Sequence, residues 1–256
     1  MGRAGRDPYP RRMLLDQETE NEIVFELCQL LGRAILPLTG SDGPGTPPGV
    51  LGTAFFYSEL VGATDDGEVA HEWLLTADTL TERAYGEIGL RPSVTEPAEG
   101  ADEPIDLPGF ADHWLHLPEL GLAAMPTGGL HGWADDRGWR WRTQQVTEAV
   151  AAPADSVARI GAAPVSAFVL ALGAGEDGSR PLEAVVERVA RDGGEVRVTT
   201  ELPAGYVGAP VFAVEAGPDG GPALRCLGVV LPPQAGGHPI ATFDRIRAAL
   251  AAVVTD

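Results

Sequence analysis

The sequence contains no lysine and is poor in basic residues overall. It has 18 basic residues (Lys+Arg) against 37 acidic ones, so its 256 residues carry a formal net charge of -19 and a pI near 4.5. A surface of this charge repels the phosphates of nucleic acids and of anionic lipids. We therefore expect neither a nucleic acid nor a membrane surface among its partners.

Long apolar runs and cysteine clusters are absent as well. No stretch approaches the roughly 18 consecutive apolar residues of a membrane span, and the N-terminus lacks the apolar core of a signal peptide. The two cysteines, Cys28 and Cys226, are isolated from each other, which is not the pattern of a disulfide framework or a zinc site. We interpret them as buried thiols, expect a cytoplasmic protein, and predict no cofactor.

The residues that are present predict a helix, then many strands, then a second helix. Hydrophobic residues make up 44% of the chain, which is typical of a globular protein. A capping box that begins at Thr19, followed by an apolar stripe through Ile23 and Leu27, predicts a helix over about residues 19–33. A second apolar stripe predicts a helix near the C-terminus, over 242–254.

Between the two helices, short apolar or alternating runs are separated by glycine, proline and aspartate, which is typical of antiparallel barrels or sandwiches. The segment 127–145 holds three of the five tryptophans and lies near the middle of this region, so it predicts a linker between two halves. The predicted division is a flexible tail at 1–15, an N-terminal helix at 16–36, a first β-barrel at 37–126, the linker at 127–145, and a second β-barrel plus the C-terminal helix at 146–256.

Three segments occur in a suggestive order: "LLTADTL" at 74–80, "ELGLAAMP" at 119–126 and "AGYVGAPVF" at 204–212. Together with "GTAFFY" at 52–57, they resemble the trypsin-like (chymotrypsin-fold) serine peptidases over about residues 33–254. The resemblance implies an all-β fold of two six-stranded antiparallel barrels, with the active site in the cleft between them.

The resemblance also locates the positions of the catalytic triad, and none of them carries triad chemistry. The histidine position falls on Thr79, the acid position on Gly121 and the serine position on Val207. A triad needs a hydroxyl to attack, an imidazole to accept its proton and a carboxylate to orient the imidazole. The resemblance therefore implies a catalytically degenerate member of the family, a pseudoprotease.

The turn around Val207 keeps its glycines, and this predicts that part of the binding machinery persists. The N–H groups of Gly205 and Val207 are expected to form an oxyanion-hole-like nest. Tyr206, Gly208 and Ala209 are expected to line a cleft that holds an extended peptide along a barrel edge. The favoured function is a non-catalytic subunit that binds a protein or peptide, or acts as a scaffold. The composition, rich in glycine and alanine, indicates a GC-rich bacterial source such as an actinomycete, and the resemblance implies a role in bacterial signalling or defence.

Other interpretations of the same residues stay open. A diverged hydrolase with a relocated active site would need one of five histidines as its base, namely His71, His113, His116, His131 and His238. His113 and His116 are spaced as two metal ligands on a helix would be, but we predict no metal. Another alternative to the binding function is a purely structural subunit of a larger assembly.

Two segments are candidate interfaces. The N-terminal helix has an apolar stripe that packs either on the barrel or on a partner protein. Three tryptophans of the linker, accompanied by arginines, form either an interaction surface or an anchor for the connecting strap. These tryptophans are Trp133, Trp139 and Trp141.

Overall fold

The computed structural model describes residues 14–41, 49–64, 67–101, 103–173, 181–216 and 222–255. Most of the predicted tail at 1–15 therefore lies outside the described residues. The α-helices are α1 (Gln17–Leu31), α2 (Gly128–Asp136), α3 (Ala154–Ala158) and α4 (Phe243–Thr255). Among the described residues, none of the helices combines the length and the apolar character that crossing a membrane requires.

The strands fall into an N-terminal and a C-terminal group. The first group is β1 (Ile35–Ser41), β2 (Gly49–Thr64), β3 (Gly67–Ala77), β4 (Tyr85–Ile88), β5 (Thr95–Glu96), β6 (Ile105–Pro108), β7 (Leu115–Leu117), β8 (Leu122–Pro126), β9 (Arg140–Trp141) and β10 (Val146–Thr147). The second group is β11 (Val165–Leu172), β12 (Leu182–Asp192), β13 (Glu195–Val198), β14 (Pro210–Ala216), β15 (Pro222–Val230) and β16 (His238–Thr242).

The N-terminal sheet is open, which corrects the prediction of a closed six-stranded barrel. Its eight strands follow the order β6-β4-β1-β2-β3-β8-β7, and β10 adds to β2 in parallel. Closure requires the two outer strands of a sheet to pair. Here β6 and β7 are separated by the short 3-10 turn Phe110–His113, and no pairing between them is found among the described residues.

The C-terminal strands do close into a six-stranded barrel, in the order β11-β12-β13-β16-β15-β14. All eight residues of β11 are buried, so both of its faces contribute to a core. Its smaller side chains, such as Ala167 and Val169, fill the barrel interior. Its larger ones, such as Phe168 and Leu170, point outward into a core shared with the rest of the molecule. A strand buried on both faces has a continuous apolar sequence instead of an alternating one.

The shared core joins both halves and both terminal helices. It contains Leu27 of α1, Phe55 of β2, Phe168 of β11 and Phe243 of α4. The Phe243 ring centroid lies 6.4 Å from that of Phe55. This core places the N-terminal sheet and the barrel side by side, and the candidate site lies along their junction.

Helix α1 packs on the C-terminal barrel, and its start differs from the prediction. The N-cap is Asp16, whose carboxylate accepts the Thr19 backbone N–H at 3.0 Å, so the helix begins two residues before the predicted start. Its buried Glu20 accepts a hydrogen bond from Ser166 of β11 at 2.7 Å and pairs with Arg188 of β12 at 3.1 Å.

The segment 127–145 folds into regular elements and packs on its neighbours. It forms α2 and β9, and its tryptophans stack edge to face: the Trp139 ring centroid is 5.3 Å from Trp133 and 5.0 Å from Trp141. Trp141 in turn lies 5.6 Å from Phe56 of β2. The Trp141–Phe56 contact anchors the segment on the N-terminal sheet.

Candidate functional site

The segment with Thr79 is a 3-10 turn, Asp78–Leu80, that follows the end of β3. The Asp78 backbone N–H donates to the carbonyl of Gly121 at 2.9 Å, which fixes this turn against the start of β8. Asp78 and Leu80 are buried, whereas Thr79 is exposed. The turn therefore directs Leu80 into the junction and Thr79 toward solvent.

Gly121 has a backbone conformation that suits glycine. Its φ of 64° lies in the left-handed region. A Cβ built on Gly121 would lie 3.5 Å from a methyl carbon of Leu231. The position that the resemblance assigns to the acid therefore has no side chain and faces an aliphatic one.

Val207 follows a 3-10 turn, Ala204–Tyr206, and is only 6% exposed. Its carbonyl accepts the backbone N–H of Thr53 on β2 at 2.9 Å. The next residue, Gly208, has a φ of 85°, and a Cβ there would lie 2.1 Å from the carbonyl oxygen of Thr53. Only glycine fits at this point because the turn presses directly on β2.

The structure brings these three segments to one place. Leu80, from the turn with Thr79, belongs to the same apolar cluster as Val207, and Leu231 packs against that cluster. Gly121 lies beside these residues, because its carbonyl accepts the Asp78 N–H and its Cα faces Leu231. We call Leu80, Val207 and Leu231 the apolar plug. It fills the junction at the point where the resemblance places a nucleophile and its base.

The turn uses one of the two N–H groups that were predicted to form an oxyanion-hole-like nest. The N–H of Val207 donates to the carbonyl of Ala204 at 3.1 Å, within the 3-10 turn. An N–H that is already bonded inside its own turn is not directed at a ligand. Of the predicted pair Gly205 and Val207, the second is thus engaged internally.

The three residues predicted to line the cleft are buried in the structure. Tyr206, Gly208 and Ala209 are all inaccessible, and the Tyr206 hydroxyl donates to Glu183 at 2.5 Å. Burial, together with this hydrogen bond to Glu183, raises the pKa of Tyr206. None of the three presents a surface to a peptide.

The chain that leaves β15 beside the plug does not offer a peptide-binding edge either. The Leu231 N–H donates to the carbonyl of Pro239 at 2.9 Å. The Leu231 carbonyl accepts a hydrogen bond from His238 Nδ1, also at 2.9 Å. The next two residues, Pro232 and Pro233, have no N–H. An added strand needs such donors, so the expected peptide along this edge lacks its main-chain partners.

A histidine–carboxylate pair lies next to the plug, and the sequence analysis missed it. His116 Nδ1 lies 2.5 Å from the Asp78 carboxylate, and its Nε2 lies 3.1 Å from the carbonyl of Ala111. The hydrogen bond to Asp78 raises the pKa of His116, against partial burial that lowers it. The two residues are 38 positions apart, and no local pattern in the sequence links them.

The hydrogen bonds of the other histidines argue for structural roles. His113 contacts the carbonyl of Pro108, and His131 contacts the Glu72 carboxylate at 3.0 Å. His238 is fully buried, and its Nε2 accepts the Leu202 N–H at 3.0 Å. Among the hydrogen bonds described for the histidines, none involves a hydroxyl or a thiol that an imidazole would activate. The described residues also contain no group of three His, Cys, Asp or Glu arranged to hold a metal.

Comparisons with known proteins find similarity to solved structures. No protein-family model matches the chain, and no curated protein matches it. A similar solved structure is that of the serine endoprotease from Yersinia pestis, with 9% identity and a TM-score of 0.48. The match covers 91% of this chain and 66% of that one, so the chain spans about two thirds of its length. At this level of similarity we draw no conclusion about activity from the match.

Proposed function

We propose that this protein is a catalytically inactive trypsin-like protein that serves as a protein-binding or scaffold subunit. The observation that carries the proposal is the apolar plug. Val207, at the serine position, packs in one cluster with Leu80 and Leu231, with no nucleophile or base among them. Attack on a peptide bond requires an activated nucleophile, and aliphatic side chains supply neither the nucleophile nor its base.

Two further features support the loss of catalysis. Thr79 is exposed and cannot accept a proton near neutral pH, and Gly121 has no carboxylate to orient a base. The Val207 N–H donates to the carbonyl of Ala204, so this N–H does not stabilise an oxyanion. Because three separate roles are missing, restoring any one of them leaves the other two unfilled.

The location and source of the protein are also proposals. The described cysteines are free thiols, and burial raises the pKa of Cys226, so it is not primed to react. Free thiols fit a reducing compartment, and we propose a cytoplasmic protein of an actinomycete-like bacterium. We propose a role in signalling or defence, where a binding subunit of this class would act beside an effector.

The test of inactivity uses the full chain with a fluorophosphonate probe, casein and a broad peptide library. We expect no labelled serine and no cleavage. A matched variant, Val207→Ser, is expected to remain inactive, because Thr79 supplies no base for the new hydroxyl. Labelling of a native serine, with cleavage abolished when that serine is changed to alanine, would establish the relocated hydrolase instead.

A further inference from the structure

The strand β3 has an edge without a neighbouring strand. On one side it pairs with β2 over Gly67–Leu75, and on the other side it pairs with β8 only over Trp73–Ala77. After Pro126 the chain makes one more bond, from the Thr127 N–H to the Glu72 carbonyl at 3.1 Å, and then turns into α2. Among the described strands, none pairs with the remaining edge.

The backbone groups of Ala70 face this edge. Successive residues of a strand direct their N–H and C=O groups to alternate sides. Since the Glu72 carbonyl points toward β8, the N–H and C=O of Ala70 point the same way, one step beyond the last bond. Ala70 is exposed, so an added strand has access to these groups.

A depression of about 470 Å³ lies directly beside the edge, between β3 and the start of α2. Its lining includes Ala70, Glu72, Thr127, Gly128 and His131. The Glu72 carboxylate accepts hydrogen bonds from Gln145 at 2.6 Å and from His131 at 3.0 Å. Burial raises the pKa of Glu72, but these hydrogen bonds outweigh it, so the pKa is lowered. The depression therefore carries a fixed carboxylate and has room for a side chain of an incoming strand.

The hairpin formed by β2 and β3 is acidic and carries exposed aliphatic side chains. In the sequence, residues 58–72 include five acidic residues and no arginine: Glu59, Asp65, Asp66, Glu68 and Glu72. Leu60, Val61 and Val69 are 48%, 47% and 40% exposed, and Leu60 lies opposite Ala70. A second copy of this hairpin would bring like charges together, so charge complementarity favours a basic partner over self-association.

We propose that the β3 edge at Ala70 binds an extended, basic segment of a partner protein as an added strand. Main-chain hydrogen bonds to Ala70 hold the segment. Its apolar side chains lie on the face of Ala70 and cover Leu60, and its basic ones lie on the opposite face, the face of Glu59. This inference rests on the proposed binding function, and it places the interface on the hairpin, away from the apolar plug.

The test compares two substitutions at one position. Ala70→Pro removes the N–H that faces the open edge and leaves the charge unchanged. Ala70→Val keeps that N–H. The probe is a fluorescein-labelled peptide of about eight residues that alternates arginine and valine, with a glutamate–valine peptide as its control. Fluorescence anisotropy is expected to show saturable binding of the basic peptide, weakened about tenfold or more by Ala70→Pro and changed less than about twofold by Ala70→Val.

A second pair of variants tests the aliphatic contact. Leu60→Ser is expected to weaken binding, whereas Leu30→Ser, at another exposed leucine, on α1, is not. Amide hydrogen exchange of the wild type, with and without the peptide, is expected to show new protection at Ala70, so the test does not depend on any variant folding.

The outcomes separate this inference from the proposed function. Equal binding by Ala70→Pro and wild type, protection confined to other segments, or no binding of the basic peptide would each overturn the edge site. A peptide that binds and protects another surface would leave the protein-binding function intact. Serine labelling or cleavage would contradict the proposed function whatever the edge does.

Discussion

At the residue scale, the junction between the two halves contains three positions that the sequence analysis located. It also contains a histidine–carboxylate pair that the sequence analysis missed. Thr79, Gly121 and Val207 were located because each sits in a short segment with recognisable neighbours. The pairing of His116 with Asp78 escaped because contact between distant residues is decided by how β3 and β7 are placed. The burial of Tyr206 and Ala209 also escaped, since a glycine-rich turn is as compatible with a closed junction as with an open cleft.

The His116–Asp78 pair predicts a pH-dependent contribution to stability. Because the folded-state pKa of His116 is raised above its unfolded value near 6.5, its contribution is fully present below that value and is lost as pH rises through the folded pKa. We expect His116→Ala to lower the Tm by about 2–4 °C at about pH 5.5, consistent with about 1 kcal/mol for a partly exposed pair, and by less at about pH 9. Thermal unfolding at both pH values measures this.

His113→Ala serves as the control, since the described bond of His113 goes to a backbone carbonyl. The same loss of Tm for His116→Ala at both pH values would contradict an ionic role for the pair.

At the element scale, the helices were easier to predict than their attachments. The apolar stripe of α1 indicated a helix, but not that Glu20 would be buried against Ser166 and Arg188, 146 and 168 positions away in the sequence. The segment 127–145 was predicted as a linker because it lies near the middle of the strand-rich region and holds three of the five tryptophans. Packing of Trp133 on Trp139 stabilises α2 where local preference alone does not.

The buried Glu20 predicts how α1 is held. Glu20→Ala removes a carboxylate that two groups of the barrel contact, and we expect the free energy of unfolding to fall by about 1–3 kcal/mol. The exposed Glu22 on the same helix gives a matched control, with an expected change within about 0.5 kcal/mol for Glu22→Ala. Chemical denaturation of both variants measures the difference. Equal losses would show that the buried contacts of Glu20 do not explain the effect.

At the scale of the whole molecule, the two halves differ in how their edges are treated. The C-terminal barrel closes and has no free edge, whereas the N-terminal sheet is open and extends into the β2–β3 hairpin. An alternating strand pattern predicts antiparallel pairing, but it does not say whether the outer strands meet. Closure depends on the length and tilt of strands that are far apart in the sequence.

This difference predicts an uneven pattern of amide hydrogen exchange. Local opening is easiest where few apolar contacts and exposed hydrogen bonds occur together. We expect the amides of Leu60 and Val69 to exchange much faster than those of Phe168 and Val169 in β11, whose side chains are buried on both faces. Exchange measured by NMR or mass spectrometry in the absence of any partner tests this. Equal protection in the hairpin and in β11 would mean that the hairpin is covered.

The sequence by itself determined the mostly β character, the terminal helices, the acidic composition and the residue types at 79, 121 and 207. These follow from composition, periodicity and residue identity, which are local properties. Only the tertiary structure decided that the N-terminal sheet stays open, that Leu80, Val207 and Leu231 fill the junction, and that an edge of β3 is left without a neighbour. Those features depend on which distant segments come into contact, because side-chain packing and strand pairing act between residues that the sequence keeps far apart.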